Sequence, residues 1–203
     1  RQGAVRLDSS HEPHLPLIGR ENERTELLTH VEALFQGLGG AVLVEGEAGV
    51  GKTRLLQALA GDAEWRGAEA LWGKSRELDA SVPYGPLVEA LSGGISSLRG
   101  RQLLQVVEEI WLQVLTVLLP SLAATLPDLG APPVLEPAQE RDRLVNALAQ
   151  LLAGWGQIVP LLLIIEDLHW AREDSLGLLA RLVPSLSESG VLVLGSYRGE
   201  EAR

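Results

Sequence analysis

The segment GEAGVGKT, residues 46–53, sets Gly46, Gly51, Lys52 and Thr53 at the spacing G-x-x-x-x-G-K-[ST]. Glycines in such a turn let successive backbone N–H groups face inward around an anion with no Cβ in the way. The N-terminus of the helix that follows adds partial positive charge at the same place. Lys52 is then within reach of the β- and γ-phosphates of a nucleotide, and the Thr53 hydroxyl is a hard oxygen suited to Mg²⁺. The candidate nucleotide contacts are therefore Gly46, Glu47, Ala48, Gly49, Val50, Gly51, Lys52 and Thr53, with the adjoining Arg54.

A second set of residues completes the chemistry. Phosphoryl transfer to water needs one carboxylate in the Mg²⁺ shell and another to orient and deprotonate the attacking water. IIEDLHW offers Glu166 and Asp167 side by side at the end of an apolar run. Glu166 is assigned to the metal shell through water and Asp167 to the catalytic base, and the two roles are exchangeable at this stage. Arg198, at the end of GVLVLGSYR, offers a guanidinium that can stabilise charge on the γ-phosphate. His169 has two readings, a water-polarising or γ-phosphate-sensing group and a capping or packing residue.

These residues need particular elements to bring them together. Residues 41–44 and 68–72 are short apolar strand candidates on either side of a helix that begins at Lys52, the start of a parallel β-α-β arrangement. Residues 160–167 and 190–198 are continuous apolar runs, as expected of strands buried on both faces. The carboxyl ends of parallel strands share one edge of a sheet, so the phosphate loop, the acid pair and Arg198 converge there. Helical spacing is present at residues 20–36, where glycines at 37, 39 and 40 stop it, and again at residues 103–119, 141–152 and 175–186. Residues 1–16 carry HEPHLP and no apolar period, and read as a linker or arm.

Composition narrows the class. The net charge of −10 disfavours direct contact with nucleic-acid phosphates or anionic lipid. The absence of cysteine removes disulfide frameworks and thiolate metal sites, and fits a reducing, cytoplasmic setting. No apolar run approaches the roughly 20 residues of a spanning helix. His11 and His14 in HEPH are not read as a metal site, and Trp65, Trp72, Trp111, Trp155 and Trp170 read as core or interface packing. A chain that begins at Arg1 and has no methionine is expected to be a piece of a longer polypeptide.

Taken together, LPLIGRENERTELL, GEAGVGKTRLL, VPYGPLVEAL, LLLIIEDLHWAREDSLGLLARL and VLVLGSYRGEE resemble the STAND ATPases, signal-transducing relatives of the AAA+ proteins, over about residues 15–201. The resemblance is closest to the segments found in large bacterial transcription regulators of the maltose-activator and LuxR type and in some adenylyl cyclases and kinases. It implies an α/β P-loop NTPase fold of the ASCE type: a three-layer sandwich over residues 17–203, with a parallel sheet and a helical insertion at about residues 78–160. It also implies that the strand leading to Arg198 lies between the strands that carry the phosphate loop and the acid pair.

In such proteins the segment matching LIGRE lines the adenine pocket, so the resemblance puts Gly19 and Arg20 at the base or ribose. Many relatives have Asp where this chain has Glu166. The fifth strand, helical lid and winged-helix region of these proteins are expected to lie beyond the chain. The activity implied is slow, Mg²⁺-dependent ATP hydrolysis that resets a signalling switch, with ATP and ADP as ligands. The partners implied are other domains of the parent chain, effector and helical-repeat or winged-helix regions, and a nucleotide-dependent homo-oligomer. Two other functions fit the motifs, a nucleotide-holding scaffold without turnover and a small-molecule kinase. The kinase would be expected to show an arginine-rich lid and a shorter route from Lys52 to Glu166.

Overall fold

The computed structural model describes residues 19–77, 83–131 and 137–199. Residues 1–16, read from the sequence as a linker, lie outside the described residues, as do His11 and His14. Helix α1 (Glu21–Leu34) buries Leu27, Val31 and Leu34, one stripe at helical spacing, and Gly37 at φ 81° turns the chain out of it. Strand β1 (Gly40–Glu45) alternates half-buried and exposed residues. Helix α2 (Lys52–Trp65) buries Leu55, Leu56 and Leu59, and strand β2 (Glu69–Lys74) follows. Strand β3 (Leu161–Glu166) is buried along its whole length, and strand β4 (Val191–Tyr197) along all but its last residue.

All strand pairs are parallel, and the sheet order is β1-β4-β3-β2. The expected placement of the strand before Arg198, between the other two site-bearing strands, is therefore borne out. Side chains alternate across the sheet. Val42, Val44, Leu162, Ile164, Leu192 and Leu194 meet α1 and α2 on one face. Leu161, Leu163, Ile165, Val191 and Val193 meet the helices that precede and follow β3 on the other. The result is three layers, α/β/α. At the β1 edge the second face is left open, with Leu43 61% exposed.

Between β2 and β3 the described residues form five helices: α3 (Gly85–Gly94), α4 (Ser97–Val106), α5 (Glu109–Leu115), α6 (Pro120–Thr125) and α7 (Pro137–Ile158). The single helix expected over residues 103–119 is instead broken at Val107 and Glu108, both extended. The break lets α4 and α5 both lie on α7, where Val107 packs so close to Gly154 that a Cβ there would stand 2.4 Å from the valine methyl. The α7 helix outruns its expected end at residue 152 because Gly154 serves this close packing rather than stopping the helix. The helix expected over residues 175–186 is α8 (Glu173–Leu182) followed by a 3-10 turn, Val183–Leu186, where Pro184 lacks the N–H that an α-helix needs.

The helical layer is tied to the sheet by one polar cluster. Glu69 Oε2 accepts from Arg99 Nη2 at 2.6 Å and from Trp155 Nε1 at 2.8 Å, and the Arg99 guanidinium lies over the Trp155 ring. Trp155 is fully buried, as expected of a core residue. Trp65, at 90% exposed, is not a core residue in this chain. No helix among the described residues is long and apolar enough to cross a membrane.

Candidate functional site

Residues 46–51 join β1 to α2 at the carboxyl edge of the sheet. The turn depends on glycine at three points: Gly49 has φ 77°, Gly51 caps α2 at φ 90°, and a Cβ on Gly46 would stand 2.9 Å from Val50 Cγ2. The first backbone hydrogen bond of α2 runs from Leu55 N to Gly51 O at 3.0 Å. The N–H groups of Lys52 and Thr53 lie ahead of that bond at the N-terminus of the helix, the end that carries partial positive charge and suits an anion. Lys52 Nζ folds over the loop, donating to Gly46 O at 2.7 Å and to Glu47 O at 2.9 Å. Glu47, Ala48, Gly49, Thr53 and Arg54 are exposed, with Val50 half-buried behind them. Arg20, at the entrance to α1, reaches the same loop: its Nη2 donates to Val50 O at 3.2 Å while Nη1 holds Glu23 at 2.7 Å. Gly19 beside it has φ 77° and is exposed.

The acid pair stands at the tip of β3. Glu166 is only 8% exposed, and its Oε1 is buried with no hydrogen-bond partner among the described residues. A buried carboxylate oxygen in this state costs free energy unless a cation meets it. Asp167 leaves the strand with φ 57°, a left-handed backbone that is uncommon outside glycine. Its N–H donates to Ser196 Oγ at 3.1 Å, and its Oδ2 lies 3.1 Å from Lys74 Nζ. Sequence reasoning missed both Ser196 and Lys74. Ser196 was the one polar interruption in VLVLGSY, and Lys74 ends LWGK as Glu166 ends LLLIIE.

Strand pleating explains how these residues meet. Lys74 is in register with Glu166, and Ser196 with Val44. Each continues, by the two-residue period, the face that α2 covers. Lys74, Glu166 and Ser196 thus form a row on adjacent strands beside the phosphate loop. Arg198 follows β4 directly and is half-buried. On the opposite face Tyr197 Oη donates to Glu45 Oε2 at 2.8 Å, and this hydrogen bond, with some burial, raises the tyrosine above its ordinary range near 10.0. His169 packs against Trp170, ring centroids 5.2 Å apart, which favours its packing reading.

The donor set fits Mg²⁺. The orphaned Glu166 oxygen and the Thr53 hydroxyl are hard ligands, and no cluster of three metal-ligating side chains occurs among the described residues. An ion here would therefore share its shell with phosphate oxygens and water, as Mg²⁺ commonly does.

Over 195 residues the chain is 24% identical to an uncharacterized protein of Rhizobium meliloti (strain 1021). That similarity covers 90% of this chain and 18% of the relative's length. The model of the AAA ATPase domain matches residues 16–194, across the phosphate loop, the acid pair and all but the last residues of β4. A match over that much of the sequence, on a parallel sheet that gathers a lysine-bearing glycine turn and two acids at one edge, places the chain in the AAA ATPase domain family, whose members bind and hydrolyse nucleotide.

Proposed function

We propose that the chain is the Mg²⁺-dependent ATPase module of a larger signal-transducing regulator, of the STAND type, in which ATP binding and slow hydrolysis switch the state of neighbouring domains. The observation that carries this reading is the buried, partnerless Glu166 Oε1 beside an Asp167 that is ion-paired with Lys74, both on the sheet edge that bears Lys52. The phosphate loop binds the triphosphate through its backbone N–H groups, and Lys52 neutralises charge on the β- and γ-phosphates. Thr53 and Glu166 would hold Mg²⁺, which supplies charge neutralisation on the phosphate oxygens as the bond to the leaving group lengthens. Asp167 takes the proton of the attacking water, and Arg198 stabilises charge on the γ-phosphate. Gly19 and Arg20 line the adenine side of the site, a placement supported by the Arg20 contact with Val50 O.

Lys74 restrains the base. It stands on β2, whereas the phosphate loop lies beyond β4 on the other side of β3, so the ion pair draws the Asp167 carboxylate away from the loop. A module role within a longer polypeptide is supported by the small share of the Rhizobium relative that the chain spans and by the exposure of Leu43 on β1; the transcriptional role rests on the resemblance alone. Other domains of the parent chain, or a second copy in a nucleotide-dependent oligomer, are the partners of such a switch.

The test is phosphate release from ATP with Mg²⁺, comparing the chain with Asp167→Asn. Loss of a general base lowers turnover by about 10²–10⁴-fold, while ATP affinity stays close to that of the unaltered chain. Release that survives the substitution would remove Asp167 from the mechanism. Tight binding with no release by the unaltered chain would instead support the scaffold reading.

A further inference from the structure

Strand β2 is an edge strand. Along a parallel pair, alternate N–H groups point toward the neighbour, and here those of Glu69 and Ser75 donate to Pro160 O and Glu166 O, both at 2.9 Å. The N–H of Lys74 has the other parity and faces out of the sheet. It is met by Glu89 on α3, whose Oε2 accepts it at 3.0 Å. The same carboxylate grips Arg76, with Nη2 to Oε1 at 2.9 Å and Nη1 to Oε2 at 3.3 Å. Glu89 therefore holds the exit of β2 on both sides of Ser75.

The grip is reinforced by contact with the strand itself. A Cβ on Gly73 would lie 1.8 Å from Pro86 O and 3.3 Å from Ala90 Cβ, so the first turn of α3 rests on the backbone of β2. Glycine at 73 is what permits that approach, and α3 cannot slide along the strand without moving the residues beside it. On its other side α3 is locked into the helical layer, where Leu87, Ala90 and Leu91 share a core with Leu103, Leu122 and Trp155. Burial raises the Glu89 carboxyl, but the Arg76 hydrogen bonds and the Lys74 N–H lower it further, leaving it below the usual carboxylate range.

We propose that Glu89 is a positioning residue for Asp167: it fixes the end of β2 so that Lys74 restrains the Asp167 carboxylate, and it makes the helical layer between β2 and β3 the input to the acid pair. This rests on the reading of the chain as an ATP hydrolase in which Asp167 is the base. A displacement of that layer, imposed by a neighbouring domain or a second copy, moves α3, loosens the β2 exit and releases Asp167 toward the phosphate loop. The segment VPYGPLVEAL, which the sequence singles out without a role, thereby acquires one in α3.

The experiment is a double-mutant cycle on steady-state ATP hydrolysis by the 203-residue chain, with ATP affinity and thermal melting measured on every variant. The Lys74–Asp167 pair has side chains 44% and 23% exposed, and a pair so exposed modulates a rate by no more than about fivefold. Lys74→Ala is expected to raise kcat about two- to fivefold. Glu89→Ala is expected to raise kcat in the same direction with KM within about twofold, and Glu89→Gln, which keeps an acceptor for the Lys74 N–H, lies between it and the unaltered chain. The double variant Lys74→Ala/Glu89→Ala matches Lys74→Ala alone, because Glu89 acts through Lys74.

Additive effects in the cycle would overturn the proposal, and so would a Glu89→Ala kcat that equals the unaltered value or falls in step with melting temperature. If Glu89→Ala does not fold, Glu89→Gln and Arg76→Ala, which loosens the grip from the other side, carry the same comparison. ATP binding without phosphate release in both the unaltered chain and Lys74→Ala would refute the hydrolase reading itself, and this inference with it. A raised kcat in Lys74→Ala alone would refute only the role of Glu89.

Discussion

Removing the Lys52 ammonium separates a contact that the structure shows from a role that we propose. Its Nζ holds the loop closed through Gly46 O at 2.7 Å and Glu47 O at 2.9 Å, and in the proposed mechanism the same charge meets the β- and γ-phosphates. The loop contacts are partly solvated, so their loss in Lys52→Ala costs about 1 kcal/mol, equivalent to a drop of about 2–4 °C in melting temperature for a chain of this size. A hydrogen bond from a charged donor to phosphate contributes about 1.5–3 kcal/mol, and its loss weakens binding by about 10- to 150-fold. Titration calorimetry with ATP, ADP and AMP distinguishes the two. ATP and ADP should each lose that factor, whereas AMP, which lacks the β-phosphate, should bind the variant and the unaltered chain alike. Unchanged ATP affinity would refute the placement of nucleotide in this loop. An equal loss for all three nucleotides would show that Lys52 acts by shaping the loop and not by its charge on the outer phosphates.

Two further outcomes follow from the packing. Glu69→Ala leaves the buried Trp155 Nε1 and the Arg99 guanidinium, 16% exposed, without their acceptor; the expected destabilisation is about 2–3 kcal/mol, read by chemical denaturation, and a loss under about 0.5 kcal/mol would show that the cluster does not tie the helical layer to the sheet. Tyr197 is raised by its hydrogen bond to Glu45, so the neutral phenol is the form that the fold favours. That contribution is complete below the ordinary tyrosine range near 10.0 and is lost as pH climbs through the raised value. Ultraviolet difference titration of the chain against Tyr197→Phe should show this phenol ionising above its ordinary range, and ionisation at or below it would refute the contact.

What the sequence disclosed was the chemistry carried by neighbours in the chain. The phosphate loop was legible because its glycines, lysine and hydroxyl lie within eight residues whose spacing alone dictates a turn and a helix start. The strand that ends at Glu166 was legible because five large apolar residues in a row, Leu161 to Ile165, admit few other environments. The helical layer was legible only as helix. Its break at Val107 and Glu108 is set by the need of two helices to lie on α7, and its first helix, α3, is short and bounded by glycine and proline, so neither has a signature in local periodicity. Trp65 shows the converse: a large apolar side chain says nothing by itself about whether anything covers it.

Lys74 and Ser196 were hidden for a different reason, because each matters only through strands that are distant in sequence and adjacent in the sheet. Once the order β1-β4-β3-β2 is fixed, however, the pleat makes them readable. On the face covered by α2, Trp72, Ile164 and Leu194 are the last apolar residues of their strands, and two positions further each strand turns polar, at Lys74, Glu166 and Ser196. Three strands that end an apolar face at the same level with a cation, an acid and a hydroxyl form a polar row against a buried core. Such a row is stable only if its members pair with one another or with a ligand. Lys74 and Ser196 do so through Asp167, while Glu166 retains an oxygen with no partner. That remaining valence, at the edge that bears the glycine turn, is the physical reason to expect a cation between Glu166 and the phosphates.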